Sequence, residues 1–255
     1  MAFPWYGTMY AVAFSAIWFL ARRDPLTVGP GRRLNSAQLD TIIVWAMVGA
    51  VLGGRLGYAF LYEPGHYLKN PADIFRLWQG GMSFHGGLLG TLAAVRLAGG
   101  GSGAFWPVLD RLVRWVPLGL GLGRAGNFLT GELWGRPSEV PWAMFFDAAG
   151  PVPRHPSQLY EAFLEGPFLW FLVGLYARRL PAPGRTSAFM AIVYALVRIA
   201  AEFFREPDPG WGYLAWGWLT WGQILSLALL GVGLAFFFSK SDRPPSFKSV
   251  SQRPE

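Results

Sequence analysis

The sequence has no cysteine among its 255 residues, which excludes disulfides, thiolate metal sites and a cysteine nucleophile at once. Histidine is nearly as scarce: His66, His85 and His155 are the three. They share no HxxxH spacing, and neither an EF-hand nor a Walker pattern occurs, so no metal or other cofactor is expected. Charge is thin as well, with Asp, Glu, Lys and Arg making up 15% of the residues against 53% hydrophobic ones. That balance suits lipid better than water. Residues 1–21 carry no charge, residues 41–62 contain only Arg55, and residues 210–239 run thirty positions without Asp, Glu, Lys or Arg. A helix crossing a bilayer needs roughly 20 apolar residues, and runs of this length do not fit an apolar-rich soluble core.

What is present fits the same reading. Thirteen Trp, twenty Phe and nine Tyr are numerous enough to furnish aromatic belts at two membrane interfaces. Besides the three runs, apolar segments lie at about 78–98, 107–125, 159–177 and 186–204, each interrupted by a few polar side chains. The expectation is an all-α polytopic membrane protein of about seven transmembrane helices. The first segment lacks a basic n-region and a clear small-residue cleavage site, so it reads as a retained helix and not a cleaved signal. With seven spans, fourteen of the twenty-two Lys and Arg fall on one side, among them Arg22, Arg23, Arg178, Arg179 and Lys240. That side is then cytoplasmic, the N-terminus outside and the C-terminus inside. The net charge of +7 reports topology and anionic headgroups and calls for no nucleic acid. Residues 1–239 form the expected seven-helix membrane domain. The stretch of about 126–157, with Trp134, Trp142, Phe145 and five prolines, is expected to make a small external head. Residues 22–37 and 63–77 read as connecting loops. The Ser-, Pro- and Lys-rich tail 240–255 reads as disordered. No internal repeat suggests an inverted-topology transporter.

Ionisable groups inside a membrane span are costly, so each is a functional candidate. Arg55 sits in GGRLGY, His85 in GGMSFHGG, Arg124 in GRAGNF, and Arg198 and Arg205 in RIAAEFFRE. Tyr194, Arg198, Glu202 and Arg205 are spaced by four, four and three residues, which stacks them on one helical face. Two readings stand for that stripe: a packing pair of Arg198 with Glu202 while Arg205 reaches the interface, or an anion site facing into the bundle. Gly121, Gly123, Gly126 and Gly131 surround Arg124 and Asn127, which permits close approach of a helix or a ligand. Arg124, Asn127, Glu132, Trp134 and Arg136 fall within thirteen residues, a density that helix packing alone does not require. His85, between a serine and two glycines, is sterically open, though a lone membrane histidine also serves as a structural hydrogen-bonding group. Arginine suits phosphate because its planar fork donates two parallel hydrogen bonds. Several arginines at membrane depth point to a phosphate that is itself in the membrane, as on a phospholipid headgroup.

At these residues the sequence resembles the bacterial prolipoprotein diacylglyceryl transferases. The matching pieces are WYG at Trp5 to Gly7, GGRLGY at Gly53 to Tyr58, GGMSFHGG at Gly80 to Gly87, GRAGNFLTGELWGRP at Gly123 to Pro137, HPSQLYE at His155 to Glu161, RIAAEFFREPD at Arg198 to Asp208, and GQILS at Gly222 to Ser226. They follow the family's order across nearly the whole chain. The sequence departs from the family at Thr130, where a second Asn is more usual after GNF, and in the short stretch Met1 to Pro4 before WYG. The resemblance implies a seven-helix enzyme of the bacterial inner membrane. It would take phosphatidylglycerol, move its diacylglyceryl group onto the lipobox cysteine of a prolipoprotein signal peptide, and release glycerol phosphate. It also implies that Arg124 holds the lipid phosphate, that Arg198 is essential, and that Tyr6, His85, Asn127, Glu132, Gly135 and Glu202 matter for activity.

The chemistry of such a displacement needs a thiolate and a stabilised departing phosphate. A free cysteine has a pKa of about 8.5, so a base helps near neutrality. His85 is the best candidate in the spans, with Tyr6 and Glu202 next. Arg124 and Arg198 are candidates to neutralise charge on phosphate oxygens, and Arg55, Tyr194 and Arg205 are further candidate contacts. The rival class is a phospholipid or anion transporter using the same arginines. An intramembrane serine hydrolase built on Ser83 and His85 is disfavoured, because no GxSxG elbow occurs and residues two apart in a helix point to different faces.

Overall fold

The apolar runs fold as helices, which satisfy every backbone N–H and C=O locally when the chain leaves water. The computed structural model describes residues 5–23, 36–77, 80–99, 102–179, 181–207 and 212–239. These form α1 (Trp5–Arg23), α2 (Ser36–Leu61), α3 (Pro64–Lys69), α4 (Phe84–Ala98), α5 (Ser102–Leu112), α6 (Val116–Thr130), α7 (Ser157–Phe163), α8 (Leu169–Ala177), α9 (Arg185–Glu202) and α10 (Trp221–Ser239). On length and composition α2 and α10 can each cross a membrane. The 15 residues of α4 reach only about 22 Å at 1.5 Å per residue. The expected disordered tail, 240–255, and most of the expected basic loop, 22–37, lie outside the described residues.

Three expectations are corrected. The segment 107–125 is not one helix: α5 ends at Leu112, α6 begins at Val116, and a turn separates them. Pro117 has no N–H to bond back to the Val113 carbonyl, and its ring crowds that carbonyl. Within the uncharged run 210–239, the described residues 212–220 are not helical and the helix begins at Trp221. Before it, an Ala215–Leu219 bridge closes a turn with Trp216 at φ 50° and Gly217 at φ 67°. The all-α class gives way at the expected head, where β1 (Met144–Phe146) and β2 (Gly150–Arg154) pair antiparallel, Met144 opposite Arg154 and Phe146 opposite Gly150.

The chain divides into two compact units, Met1–Gly126 and Asn127–Glu255. In the first, α2 and α4 cross at glycines, so their backbones touch. A Cβ at Gly57 would lie 2.8 Å from the Gly86 Cα, and one at Gly53 2.8 Å from the Gly90 Cα. The apolar core of this unit gathers Ala21, Leu39, Ile42, Ile43, Val95, Val108 and Leu112.

In the second unit, α9 packs against α8 and α10. Helices α7 and α8 are joined through a π turn at Leu164–Phe168 that contains Pro167 and a non-helical Gly166. A proline inside a helix cannot donate to the ladder, and the extra residue of a π turn absorbs the misfit. The segments around residues 134–137, 153–155 and 204–206 are tied together by short bridges, Gly135 to Arg205 and Pro137 to Arg154.

Candidate functional site

The second unit holds a cluster of buried charge. Arg198, on α9, is 9% exposed, and Glu161, Glu165, Glu202 and Arg205 are 1%, 0%, 4% and 7% exposed. Arg198 Nη2 lies 2.7 Å from Glu202 Oε2, one turn along the same helix, a close ion pair. Its Nη1 is 3.5 Å from Glu161 Oε1 and its Nε 3.8 Å from Glu165 Oε1, both looser ion pairs. Arg205 Nη1 is 4.0 Å from the same Glu161 oxygen. Glu161 comes from α7 and Glu165 from the start of the π turn, and their spacing of four residues places both carboxylates on one face toward Arg198. Glu202 is fixed from its other side: Thr220 Oγ1 donates to Glu202 Oε1 at 2.8 Å. A Cβ at Gly222 would come within 2.6 Å of that oxygen. Tyr194, expected on the same face as Arg198, is buried at 7%.

A second layer supports the cluster. Arg136 donates from Nε to the Arg205 carbonyl at 2.9 Å and from Nη2 to the Glu202 carbonyl at 3.3 Å. Gly135 sits where no side chain fits, since a Cβ there would overlap the His155 carbonyl and lie 2.6 Å from the Phe204 carbonyl. Its N–H donates to His155 O at 3.0 Å, and its carbonyl accepts from Arg154 Nη1 at 3.2 Å. Asn127 is buried, and its carbonyl accepts from the N–H of Glu132 at 2.9 Å. The Glu132 side chain is exposed. Nearby, burial lowers the pKa of His155 below the usual histidine value.

The first unit carries the remaining candidates. Ser83 caps α4, its Oγ accepting from Gly86 N at 3.2 Å, and His85 follows in the first turn, half-buried beside Phe84. Arg124 lies half-buried on α6. Tyr6 belongs to α1, and its side chain lies outside what the structure describes.

Arg55 behaves differently from the expectation of a headgroup contact. It is 2% exposed, and its five N–H groups meet five backbone carbonyls: Nε to Ile74 at 2.9 Å, Nη1 to Gly80 and to Gly81 at 3.1 Å, and Nη2 to Asp73 at 2.7 Å and to Arg76 at 3.0 Å. A guanidinium has five donors in all. No donor is left for a phosphate, so Arg55 organises the loop that leads into α4.

Glu161 and Glu165 are not among the residues singled out from the sequence, although a signal was there: two carboxylates four residues apart inside the apolar segment 159–177. Arg136, Ser157 and Gln158 carry weaker signals, because their partners are backbone carbonyls, and Arg154 meets both the Gly135 carbonyl and the Glu206 carboxylate.

Membrane-length apolar helices, and a second unit built around buried arginines and glutamates, define the class: a helical membrane protein with an ionic cluster inside it. The family profile described as prolipoprotein diacylglyceryl transferase matches residues 1–239, and the chain belongs to that family. It is similar to proteins named phosphatidylglycerol–prolipoprotein diacylglyceryl transferase. The one from Nitratidesulfovibrio vulgaris (strain Miyazaki F) is 50% identical over 92% of this chain and 88% of the relative. That from Methylococcus capsulatus is 48% identical over 90% and 88%, and that from Bordetella bronchiseptica 47% identical over 96% and 94%.

Proposed function

We propose that this chain transfers the diacylglyceryl group of phosphatidylglycerol to the lipobox cysteine of prolipoproteins. The observation that carries the reading is similarity along nearly the whole chain to relatives whose names state that transfer. In the reaction the cysteine thiol gives its proton to a base and its sulfur forms a bond to the terminal glyceryl carbon. The carbon–oxygen bond to phosphate breaks, and glycerol phosphate leaves with that electron pair.

The residues divide this work as follows. His85 accepts the thiol proton, with Tyr6 the alternative. Arg124 binds the lipid phosphate through its planar fork, and Asn127 is a further substrate contact. Arg198 is anchored by Glu202, and its looser pairs with Glu161 and Glu165 are the ones a phosphate oxygen would compete with. Arg205 and Tyr194 complete that cluster, Glu132 contacts substrate from the turn that follows α6, and Gly135 keeps the space under that turn closed. Arg55 is left out of the binding set and assigned to the loop. Residues 1–239 make a seven-span catalytic domain of the bacterial inner membrane with the N-terminus outside, a head at about 126–157 on the outer side and the tail 240–255 in the cytoplasm. The positive-inside distribution of Lys and Arg supports that orientation.

The test incubates purified full-length protein in detergent with labelled phosphatidylglycerol and a lipobox peptide. Label on the cysteine as a thioether, with glycerol phosphate released, is expected. No label on the peptide, together with transbilayer movement of lipid in vesicles, would replace the reading with a lipid transporter.

A further inference from the structure

We propose that Gln158 is a positioning residue that fixes the Glu132 turn, and that Ser157 assists it. The inference rests on the transferase reading for what the turn is for, and on geometry for how it is held. Gln158 is 1% exposed, and its Nε2 donates to the Glu132 carbonyl at 2.7 Å. The amide can sit only this way round, because a flip would place its carbonyl oxygen against the Glu132 oxygen. Ser157, 0% exposed, donates from Oγ to the next carbonyl, that of Leu133, at 3.3 Å.

The held backbone is one that would not hold itself. Gly131 has φ 70° and Leu133 has φ 56°. Glycine adopts the left-handed region freely, while leucine rarely does. Pairing the Glu132 and Leu133 carbonyls offsets the preference of Leu133 for negative φ. On the other side of the turn the Glu132 N–H is tied to the Asn127 carbonyl at 2.9 Å, and the Trp134 carbonyl accepts from Glu206 N at 3.2 Å. Glu132 thus has an exposed side chain on a backbone fixed at both of its polar atoms. A rigid root under an accessible carboxylate is the arrangement by which a loop presents a group to a substrate. Losing the Gln158 bond releases Leu133 toward negative φ, which redirects the Glu132 side chain without removing any group from the site.

The test uses full-length protein with Gln158→Ala, the isosteric Gln158→Glu, Glu132→Gln and the pair Glu132→Gln with Gln158→Ala. Transfer to the lipobox peptide is measured as kcat and KM, and backbone hydrogen exchange is followed by mass spectrometry over residues 128–135. Gln158→Ala should lower kcat about tenfold and speed exchange in the turn. Gln158→Glu, which fills the same volume but carries no donor when ionised, should do at least as much. In the Glu132→Gln background, Gln158→Ala should cost less than about twofold more, because the two residues act as one unit. An equal loss in both backgrounds, or unchanged exchange in both Gln158 variants, would overturn the proposal. If Glu132→Gln alone abolishes turnover, the exchange result decides. Absence of transfer by the unmodified protein would sink the transferase reading, and exchange would still report whether Gln158 holds the turn.

Discussion

Arg55 and Arg198 look alike in the sequence, each a cation within an apolar helix, and both are less than a tenth exposed. Their surroundings differ in kind. Arg55 is ringed by neutral carbonyls of residues 73–81, so its charge is met by dipoles and its donors are committed to loop shape. Arg198 is faced by three carboxylates at distances from 2.7 to 3.8 Å, so its charge belongs to an ionic set, and the proposed role has a phosphate oxygen compete with the looser members. A buried arginine is therefore not in itself a sign of ligand binding. What it is paired with decides, since carbonyls fix a backbone and carboxylates leave a charge relationship that an anion can enter.

The largest expected effect separates the two directly. Arg198→Lys keeps the charge beside Glu202 but loses the planar fork, and turnover should fall by about a hundredfold or more while the protein stays folded. Arg55→Lys should do the reverse. An ammonium has three donors where five carbonyls now accept, and each buried carbonyl left unpaired costs about 1–3 kcal/mol. For a chain of this size the unfolding midpoint should drop by roughly 5–15 °C, with turnover per folded molecule changed only a few fold. Thermal unfolding in detergent and single-variant kinetics read both. Near-normal turnover in Arg198→Lys would mean that charge alone suffices there. Unchanged stability in Arg55→Lys would mean that the carbonyl ring is incidental.

The same contrast marks what could be read from the sequence. The i,i+4 spacing of Arg198 and Glu202 places them on one helical face, and the structure pairs them. The long apolar runs announce helices, and α1, α2, α9 and α10 lie within or across the expected segments. Arg55 was opaque because its partners are backbone oxygens, which no residue code displays. The break between α5 and α6 had a visible cause in Pro117, yet apolar character continues through it and masks the turn. The β hairpin escaped because β1 is three residues long, too short for an alternating pattern. Glu161 and Glu165 were visible as carboxylates four residues apart in an apolar segment, but which helix they would face is a matter of tertiary packing that the spacing does not display.

The smallest expected effect sharpens the comparison at its neutral end, because contacts without formal charge are not thereby indifferent to pH. His155 lies in the second unit with its ring against Phe204 and Tyr160, at centroid distances of 5.3 and 5.8 Å. Its Nδ1 is 3.2 Å from the Tyr160 hydroxyl, which accepts from Trp142 Nε1 at 2.6 Å. An indole nitrogen only donates, and the Tyr160 hydroxyl keeps a second lone pair and its own hydrogen, so the Nδ1 contact is satisfied by either neutral tautomer of the ring. Neutral His155 fits this chain, and burial lowers its pKa in the folded state. Below the unfolded value of about 6.5, the unfolded chain therefore binds more protons than the folded one, and stability falls as pH drops. The contribution is fully present above that value and is lost as pH falls through the folded pKa. Between pH 7.5 and pH 5 the midpoint of the unmodified protein should fall further than that of His155→Asn, which does not titrate there. Tyr160→Phe removes the hydroxyl that meets Nδ1, opens the ring to water and should shrink the difference. An equal pH response in the unmodified protein and His155→Asn would show that the ring is already protonated in the folded state or exchanges freely with water. The neutral relay from Trp142 through Tyr160 would then have no part in holding His155, whose backbone pairs with Gly135 and Arg136.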